Sequence, residues 1–455
     1  MKEKFLNGLL GVATLLNSQR HLAAIKNAFT HLLPIIIIGS FCTLFSNVIC
    51  STAPGYLSLA NVPGLSFLEN LKPMFTAANY GTMTFLAIGL VILLADELGE
   101  SYGITDKSLP VIALGAYISL CLTSTVVTSS TGEEITVSNV LSSNFTNAQG
   151  LFVAMFSTIL ATEIYCRLVK SGKLALHMPE TVPSNVARSF EILFPATLTI
   201  LAVSCIGMVF EVTTGMTVFA AITKFIQTPL AHVLTGLPGY CVLIWMSTLL
   251  WIVGIHGTQT LKAVYEAILL AAFAENEAAY AAGTEIPNII NTPFMSCFGT
   301  ITGAGITGGL LIAIFFFSKR EDYRAIAKLA LPCGIFNINE PLTFGLPIVL
   351  NPVLAIPFMI APVVSTIFAY YMTVIGFCGK MVVNAPWTTP PGIMAFLASG
   401  GSIGAVVTQI LCVAISAVIY TPFVLVTNKQ AVEDENEVMD GEVNQVTSGK
   451  VEVNH

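Results

Sequence analysis

Apolar runs recur along the whole chain at close to membrane-spanning length. They cover residues 30–50, 81–95, 109–128, 148–168, 190–212, 237–255, 296–317, 342–377 and 402–427. About 20 apolar helical residues cross the ~30 Å hydrocarbon core of a bilayer. The run 81–95 is short, and 342–377 has room for two segments or one long broken one. Three further apolar stretches, 263–274, 329–340 and 384–398, are too short or too interrupted by Gly and Pro to cross. Broken segments of this kind predict re-entrant hairpins, which in membranes line binding cavities. Two stretches pattern as surface helices. Residues 1–28 place Phe5, Leu9, Val12 and Leu16 on one face. Residues 213–236 do the same with Phe219, Ile222, Ile226 and Leu230, keeping Lys224 and Gln227 elsewhere.

The pattern predicts an all-α polytopic membrane protein, with about ten transmembrane helices plus re-entrant hairpins and amphipathic surface helices. It divides into an N-terminal amphipathic segment (1–28), an N-terminal transmembrane half (29–212), a connector (213–236), a C-terminal transmembrane half (237–427) and a tail (428–455). No small-residue cleavage site follows Leu9–Leu16, whereas Arg20 and Lys26 do, so the N-terminus is not read as a secretory signal.

Composition supports the membrane reading. Charged residues are 10% and apolar residues 55%, against about 25% charged in soluble domains. The net charge of −7 is concentrated in the tail, where Glu433, Asp434, Glu435, Glu437, Asp440, Glu442 and Glu452 outweigh Lys429 and Lys450. That tail is polar, poor in aromatics and expected to be disordered. The remainder is near neutral, which argues against a nucleic-acid partner. The ten cysteines have no C-x-x-C spacing and lie mostly in apolar runs, as small hydrophobes do.

Lys and Arg in short loops set the orientation. Lys2, Lys4, Arg20 and Lys26, then Arg167, Lys170, Lys173 and Arg188, then Lys319, Arg320, Arg324 and Lys328 mark three cytoplasmic segments. Both termini are then cytoplasmic, in the cell membrane. One tension follows. Three clear spans lie between the second and third basic segments, and an even number is required, so 257–295 must either cross once more or only dip in.

Glu340 is the residue most at odds with its surroundings. It is the only charged residue between Lys328 and Lys380, in Asn337-Ile338-Asn339-Glu340-Pro341, amid prolines 341, 347, 352 and 357. A carboxylate at that depth costs about 3 kcal/mol on insertion scales. Either it satisfies a buried backbone N–H or helix N-terminus, or it accepts a proton from a bound hydroxyl. His256, in Gly254-Ile255-His256-Gly257, is either a satisfied core histidine or a ligand group given access by its glycines. Trp387, in Ala385-Pro386-Trp387-Thr388-Thr389-Pro390-Pro391-Gly392, is either an interfacial anchor or a platform for the flat C–H face of a sugar. Trp251, Gln259 and Asn339 could help to bind a polar solute. There is no H-E-x-x-H, no Cys/His cluster and no Walker A sequence, so neither a metal nor a cofactor is expected. Gly299, Gly303, Gly305, Gly308 and Gly309 suit close helix packing.

At these residues the chain resembles a known family. The run Phe336-Asn337-Ile338-Asn339-Glu340-Pro341-Leu342-Thr343-Phe344-Gly345-Leu346-Pro347-Ile348-Val349-Leu350-Asn351-Pro352 is similar to the signature of the membrane IIC component of bacterial sugar phosphotransferase systems, in the lactose/cellobiose/diacetylchitobiose branch. Gly254-Ile255-His256-Gly257, Val182-Pro183-Ser184-Asn185-Val186-Ala187-Arg188-Ser189-Phe190, Asp322-Tyr323-Arg324, Ala330-Leu331-Pro332 and Ala385-Pro386-Trp387-Thr388 resemble it too. The resemblance extends over about residues 20–428. It implies a homodimer of ten-span subunits, with the N-terminal half at the dimer contact and the C-terminal half holding a β-linked disaccharide such as cellobiose or diacetylchitobiose. It implies that Glu340 and His256 contact the hydroxyl to be phosphorylated, and that Asn339 and Trp387 contact the sugar. The family's Asn-Gly-Thr sugar contact is here Asn79-Tyr80-Gly81-Thr82, with Tyr beside the Gly, which points to Asn79 and Thr82. The phosphoryl donor would be a phosphocysteine on a separate IIB protein, charged by IIA, with no phosphorylated residue in this chain. A proton-coupled secondary sugar transporter and a sugar sensor are the competing functions.

Overall fold

The computed structural model describes residues 19–52, 58–128, 133–176, 178–179, 181–346, 348 and 351–449. The fold is helical. In chain order the main elements are α1 (Arg20–Val48), α2 (Lys72–Met83), α3 (Leu86–Ser101), α4 (Ser108–Ile118), β1 (Ser124–Thr128), β2 (Glu134–Ser138), α5 (Leu151–Ser171), α6 (Ser184–Glu191), α7 (Leu193–Thr214), α8 (Val218–Ile222), α9 (Thr228–Thr235), α10 (Leu237–Ile252), α11 (Gly257–Ala282), α12 (Thr307–Phe317), α13 (Glu321–Ile335), α14 (Glu340–Gly345), α15 (Pro352–Val374), α16 (Ile393–Ala398) and α17 (Ile403–Gly449). Among the described residues seven helices are long and apolar enough to cross a membrane, and the pair Ser66–Met83 and Leu86–Ser101, bent by 42°, makes an eighth.

The elements group into two compact units. Unit 1 is Met1–Tyr240, Gln259–Pro293 and Met381–Ala385. Unit 2 is Cys241–Thr258, Phe294–Lys380 and Pro386–His455. The units do not follow the sequence halves 29–212 and 237–427, because 259–293 and 381–385 join unit 1. The buried amides of Asn276 and Asn291 explain part of this. They donate to the Met381 carbonyl at 3.0 and 2.9 Å and fix 381 within that unit.

In unit 1, α1, α3, α4 and α5 bury Phe29, Leu32, Leu86, Leu90, Tyr117 and Tyr165. Helices α1 and α2 meet at Gly39, where a Cβ would lie 2.6 Å from Thr82 Oγ1 and Met83 Cγ. In unit 2 the core joins Trp251, Leu310, Ile314, Tyr323, Leu342, Phe358 and Tyr420. Between helices in lipid, close approach of small residues contributes more than hydrophobic transfer. Here Gly309 lets α12 sit against α17, since a Cβ would lie 2.4 Å from Ser416 Oγ and 2.5 Å from Ala417 N.

Several sequence expectations change. The predicted span 109–128 ends at Ile118, and Ser124–Thr128 pairs antiparallel with Glu134–Ser138. Its β-branched Thr-Val-Val-Thr suits a strand, and the matching Ile-Thr-Val alternation supplies the partner. The predicted hairpin at 263–274 is instead part of one continuous helix of 26 residues, Gly257–Ala282, which absorbs the acidic stretch through residue 282. Between the second and third basic segments lie Leu193–Thr214, the connector 218–235, Leu237–Ile252, Gly257–Ala282 and Thr307–Phe317; Gly257–Ala282 is not among the helices long and apolar enough to cross, whereas 218–235 is. The run 342–377 supplies one long helix, Pro352–Val374, after the short α14. The connector is helical from Val218 through Thr235, with a π turn at Thr223–Gln227. The acidic tail, expected to be disordered, continues α17 as helix to Gly449. Ala and Glu propagate a helix readily once it is nucleated. The amphipathic helix expected over 1–28 falls largely outside the described residues, and 20–28 already belong to α1.

Candidate functional site

Unit 2 builds its site around the turn that follows α13. Asn337 takes the left-handed conformation there, at φ 63°, the usual way to end a helix when Gly is absent. Its own N–H bonds the Gly334 carbonyl at 3.1 Å and the Ile338 N–H bonds Cys333 O at 3.1 Å. The Asn337 side chain then reaches in two directions. Oδ1 accepts from Thr302 N at 2.7 Å, and Nδ2 donates to Trp387 O at 2.7 Å and Thr389 O at 2.8 Å. One buried amide thus joins the turn, the break before α12 and the turn ahead of α16.

The break before α12 is a cradle. Gly303 and Gly305 have φ 92° and 77°. Asn339 packs where a Gly303 side chain would be, and a Cβ there would lie 2.3 Å from Asn339 Cγ. Asn339 Nδ2 donates to Ala304 O at 2.7 Å. The glycines expected to serve helix packing therefore do so at Gly309, while Gly303 makes room for a site residue. Asn339 is 4% exposed, and one N–H of its amide is spent on this contact.

Glu340 is the first residue of α14, with Pro341 behind it. It is half-buried, and among the described residues no hydrogen bond or ion pair engages its carboxylate. Of the two sequence readings, the first has its helix N-terminus in the start of α14, and the second has an acceptor left unbonded among the described residues. Phe344, one turn on, is 6.4 Å from the Trp251 ring.

Trp251 faces His256 on its other side, with ring centroids 4.4 Å apart. It is 3% exposed, and among the described residues its Nε1 has no hydrogen-bond partner. His256 occupies the turn between α10 and α11 and is exposed. Gly254 (φ 83°) permits the turn. Gly257 closes it, because any Cβ would overlap the Ser247 carbonyl at 1.8 Å. His256 Nδ1 lies 3.1 Å from Thr258 Oγ1. When that hydroxyl donates, the ring proton resides on Nε2. Trp251 thus places His256 and the helix of Glu340 around one ring. Trp387 is 56% exposed; its backbone is held by Asn337 and its indole is left to the surroundings. The segment ends at Gly392, whose N–H donates to Gln409 Oε1 at 2.6 Å, and Gln409 in turn donates to Cys297 O at 3.0 Å.

Unit 1 holds the other predicted residues. The Asn79 amide donates to Gly39 O (3.1 Å), Thr43 Oγ1 (2.7 Å) and Glu277 Oε1 (3.0 Å). The Thr43 hydroxyl also donates to Glu277 Oε1, at 2.7 Å. With its N–H groups turned inward, Asn79 keeps Oδ1 as its remaining acceptor. The Thr82 hydroxyl donates to Ala78 O and Asn79 O in its own helix. Gln259 is exposed in the first turn of α11.

Sequence reasoning missed three residues. Asn337 was visible in the motif but had no role. Glu277, 4% exposed, looked like part of a solvated acidic stretch. Its only sequence signal was an apolar face on the same helix. Gly303 was read for packing alone.

A family model described as Phosphotransferase system, EIIC matches residues 26–362. The chain is 33% identical over 436 residues to the lichenan permease IIC component of Bacillus subtilis (strain 168), covering 94% of each. It is 32% identical over 432 residues to the cellobiose-specific EIIC component of a phosphotransferase system from Geobacillus stearothermophilus, again covering 94% of each. The structure is similar to the crystal structure of the transporter ChbC, the IIC component from an N,N'-diacetylchitobiose-specific phosphotransferase system. The TM-score is 0.85 at 33% identity, covering 94% of this chain and 98% of that one.

Proposed function

Because the chain belongs to the phosphotransferase-system EIIC family, we propose that Glu340 is the group that accepts the proton when a β-linked disaccharide is phosphorylated during its passage through the membrane. The chain is the sugar-specific membrane component of such a system, and it works with IIB and IIA partners. A β-linked substrate is supported by its relatives, which are components for lichenan, cellobiose and N,N'-diacetylchitobiose.

The chemistry asks little covalent help of this chain. Phosphoryl transfer needs an in-line nucleophile and stabilised charge. The sugar 6-hydroxyl oxygen bonds to phosphorus, the phosphorus–sulfur bond to the IIB cysteine breaks, and the hydroxyl proton passes to Glu340. His256 donates to the sugar through Nε2. Trp387 supplies a stacking face. Asn339 holds the turn beside Glu340 through Ala304 O. In unit 1, Asn79 offers Oδ1 to a sugar hydroxyl, with its orientation held by Thr43 and Glu277, whereas Thr82 spends its hydroxyl on its own helix. We place the three basic segments and both termini on the cytoplasmic side. We read the functional assembly as a homodimer. Helix α7 supports this, since it buries only Pro195, Thr199 and Val203 and leaves apolar side chains such as Leu201 and Val212 exposed.

The observation that carries the reading is the unengaged Glu340 carboxylate in a turn fastened by Asn337 and Asn339. The test is Glu340→Gln in membrane vesicles supplied with phosphorylated IIB. Loss of a general base lowers turnover by about 10²–10⁴, while equilibrium sugar binding stays within a few-fold. Wild-type phosphorylation by that variant removes Glu340 from the reaction. Free labelled sugar accumulating inside wild-type vesicles would instead establish proton-coupled transport.

A further inference from the structure

A second cluster of charge lies in unit 1. Glu163 on α5 is a buried carboxylate with a side chain 8% exposed. It accepts from Arg20 Nη2 at 3.0 Å, Arg167 Nη2 at 2.6 Å, His21 Nε2 at 2.8 Å and Tyr102 Oη at 2.6 Å. The His21 ring is held from its other side by the Gln19 amide, 2.7 Å from Nδ1. The Tyr102 ring serves two cations, Arg20 Cζ at 4.3 Å and Lys170 Nζ at 5.0 Å from its centroid. The start of α1, the end of α3 and the end of α5 are thereby tied together.

The cluster is not balanced. Arg20, Arg167 and Lys170 contribute three positive charges around one carboxylate. Arg20 and Arg167 each give Glu163 one nitrogen and remain 42% and 68% exposed. Among the described residues no acceptor engages their other N–H groups, or the Lys170 ammonium. A structural staple needs one or two of these cations. The surplus, fixed over an aromatic ring by a buried anion, is a preorganised site for a phosphate-type anion.

The surroundings decide which anion. Arg20 begins one membrane-length helix, and Arg167 and Lys170 lie in the last turns of another. On α5 below Arg167, at four-residue spacing, run Ile164, Leu160 and Phe156, the first two part-exposed and Phe156 45% exposed. An apolar stripe that leads along a span to a cation pair matches a phosphodiester carrying an acyl chain. A soluble phosphate or a phosphorylated protein surface has no use for the stripe. We propose that this corner binds the headgroup of an anionic glycerophospholipid, with the phosphate on Arg20, Arg167 and Lys170 and a chain along Ile164, Leu160 and Phe156.

The full-length protein, purified in a mild neutral detergent, is incubated with equal amounts of phosphatidylglycerol and phosphatidylcholine of the same chain length. Bound lipid is then counted by native mass spectrometry. The wild type should retain phosphatidylglycerol over phosphatidylcholine by about tenfold, as basic pockets at span ends favour anionic headgroups. Lys170→Gln, which leaves every contact to Glu163 in place, should lower that ratio several-fold. Arg167→Gln/Lys170→Gln should abolish the preference, with sugar binding retained as proof of folding. Three results would overturn the proposal. One is equal retention of the two lipids by the wild type. The second is an unchanged ratio in the double variant. The third is displacement of phosphatidylglycerol by millimolar inorganic phosphate, which would mark a site for soluble anions.

Discussion

Replacing Gly303 by alanine tests the cradle that holds Asn339. The backbone there is at φ 92°, ψ 177°, a region essentially reserved for glycine, and an L-residue forced into it costs on the order of 1–3 kcal/mol. The added Cβ would also lie 2.3 Å from Asn339 Cγ and 2.6 Å from its Cβ and Oδ1. These are atoms near the root of a short side chain and cannot swing aside cheaply. Asn339 must leave, and with it the bond to Ala304 O, worth about 0.5–1.5 kcal/mol. Together the variant should lose about 2–4 kcal/mol. Gly81→Ala is the control. It lies within α2, no atom stands within 4 Å of its added Cβ, and alanine should favour the helix by about 0.5–1 kcal/mol. Two measurements apply, melting in detergent and equilibrium binding of radiolabelled cellobiose. Gly303→Ala should melt earlier and bind about tenfold more weakly, the equivalent of about 1.4 kcal/mol. Gly81→Ala should melt slightly later than the wild type and bind as the wild type does. If Gly303→Ala binds and melts normally, Asn339 is not held in the way described.

Two further predictions follow the same logic. Asn337→Gly keeps the left-handed turn but removes the bonds to Thr302, Trp387 and Thr389. It should cost about 2–4 kcal/mol and weaken sugar binding. A variant that loses stability yet binds normally would show that the position of Trp387 does not matter to the sugar. In unit 1, Glu277→Ala strands the donors of Thr43 and Asn79, each at about 1–3 kcal/mol. In a double-mutant cycle with Asn79→Ala on melting, the two should couple by at least about 0.5 kcal/mol, and strict additivity would dissolve the triad.

The candidate residues that the sequence singles out are those that violate their local setting. Glu340 did so on energetic grounds. The Gly-flanked His256 and the Pro-rich segment of Trp387 did so through backbone chemistry, and all three lie in irregular or turn-adjacent backbone. What could not be read depends on distant partners. Glu277 is buried because Thr43 and Asn79, remote in sequence, arrive to accept it as a partner. Nothing near Glu277 says so, and an acidic, Ala-rich helix end reads as solvated. Gly303 and Gly309 are equal in sequence, yet one makes room for an asparagine and the other for a helix. Only the partner decides. The span 109–128 was misjudged because hydropathy does not separate a membrane helix from a β-branched hairpin strand. The resemblance supplied the phosphotransfer chemistry, which no spacing in the chain encodes.

The placement of Trp251 has a practical consequence. The chain has three tryptophans; Trp245 and Trp387 are 42% and 56% exposed, and Trp251 is 3% exposed against the His256 ring. An imidazolium in van der Waals contact quenches indole emission far more strongly than a neutral imidazole. With Trp245→Phe and Trp387→Phe as background, the remaining fluorescence becomes a built-in optical gauge of the protonation and displacement of His256. Each arrival of a solute beside that ring can then be timed in a stopped-flow instrument without attaching a dye.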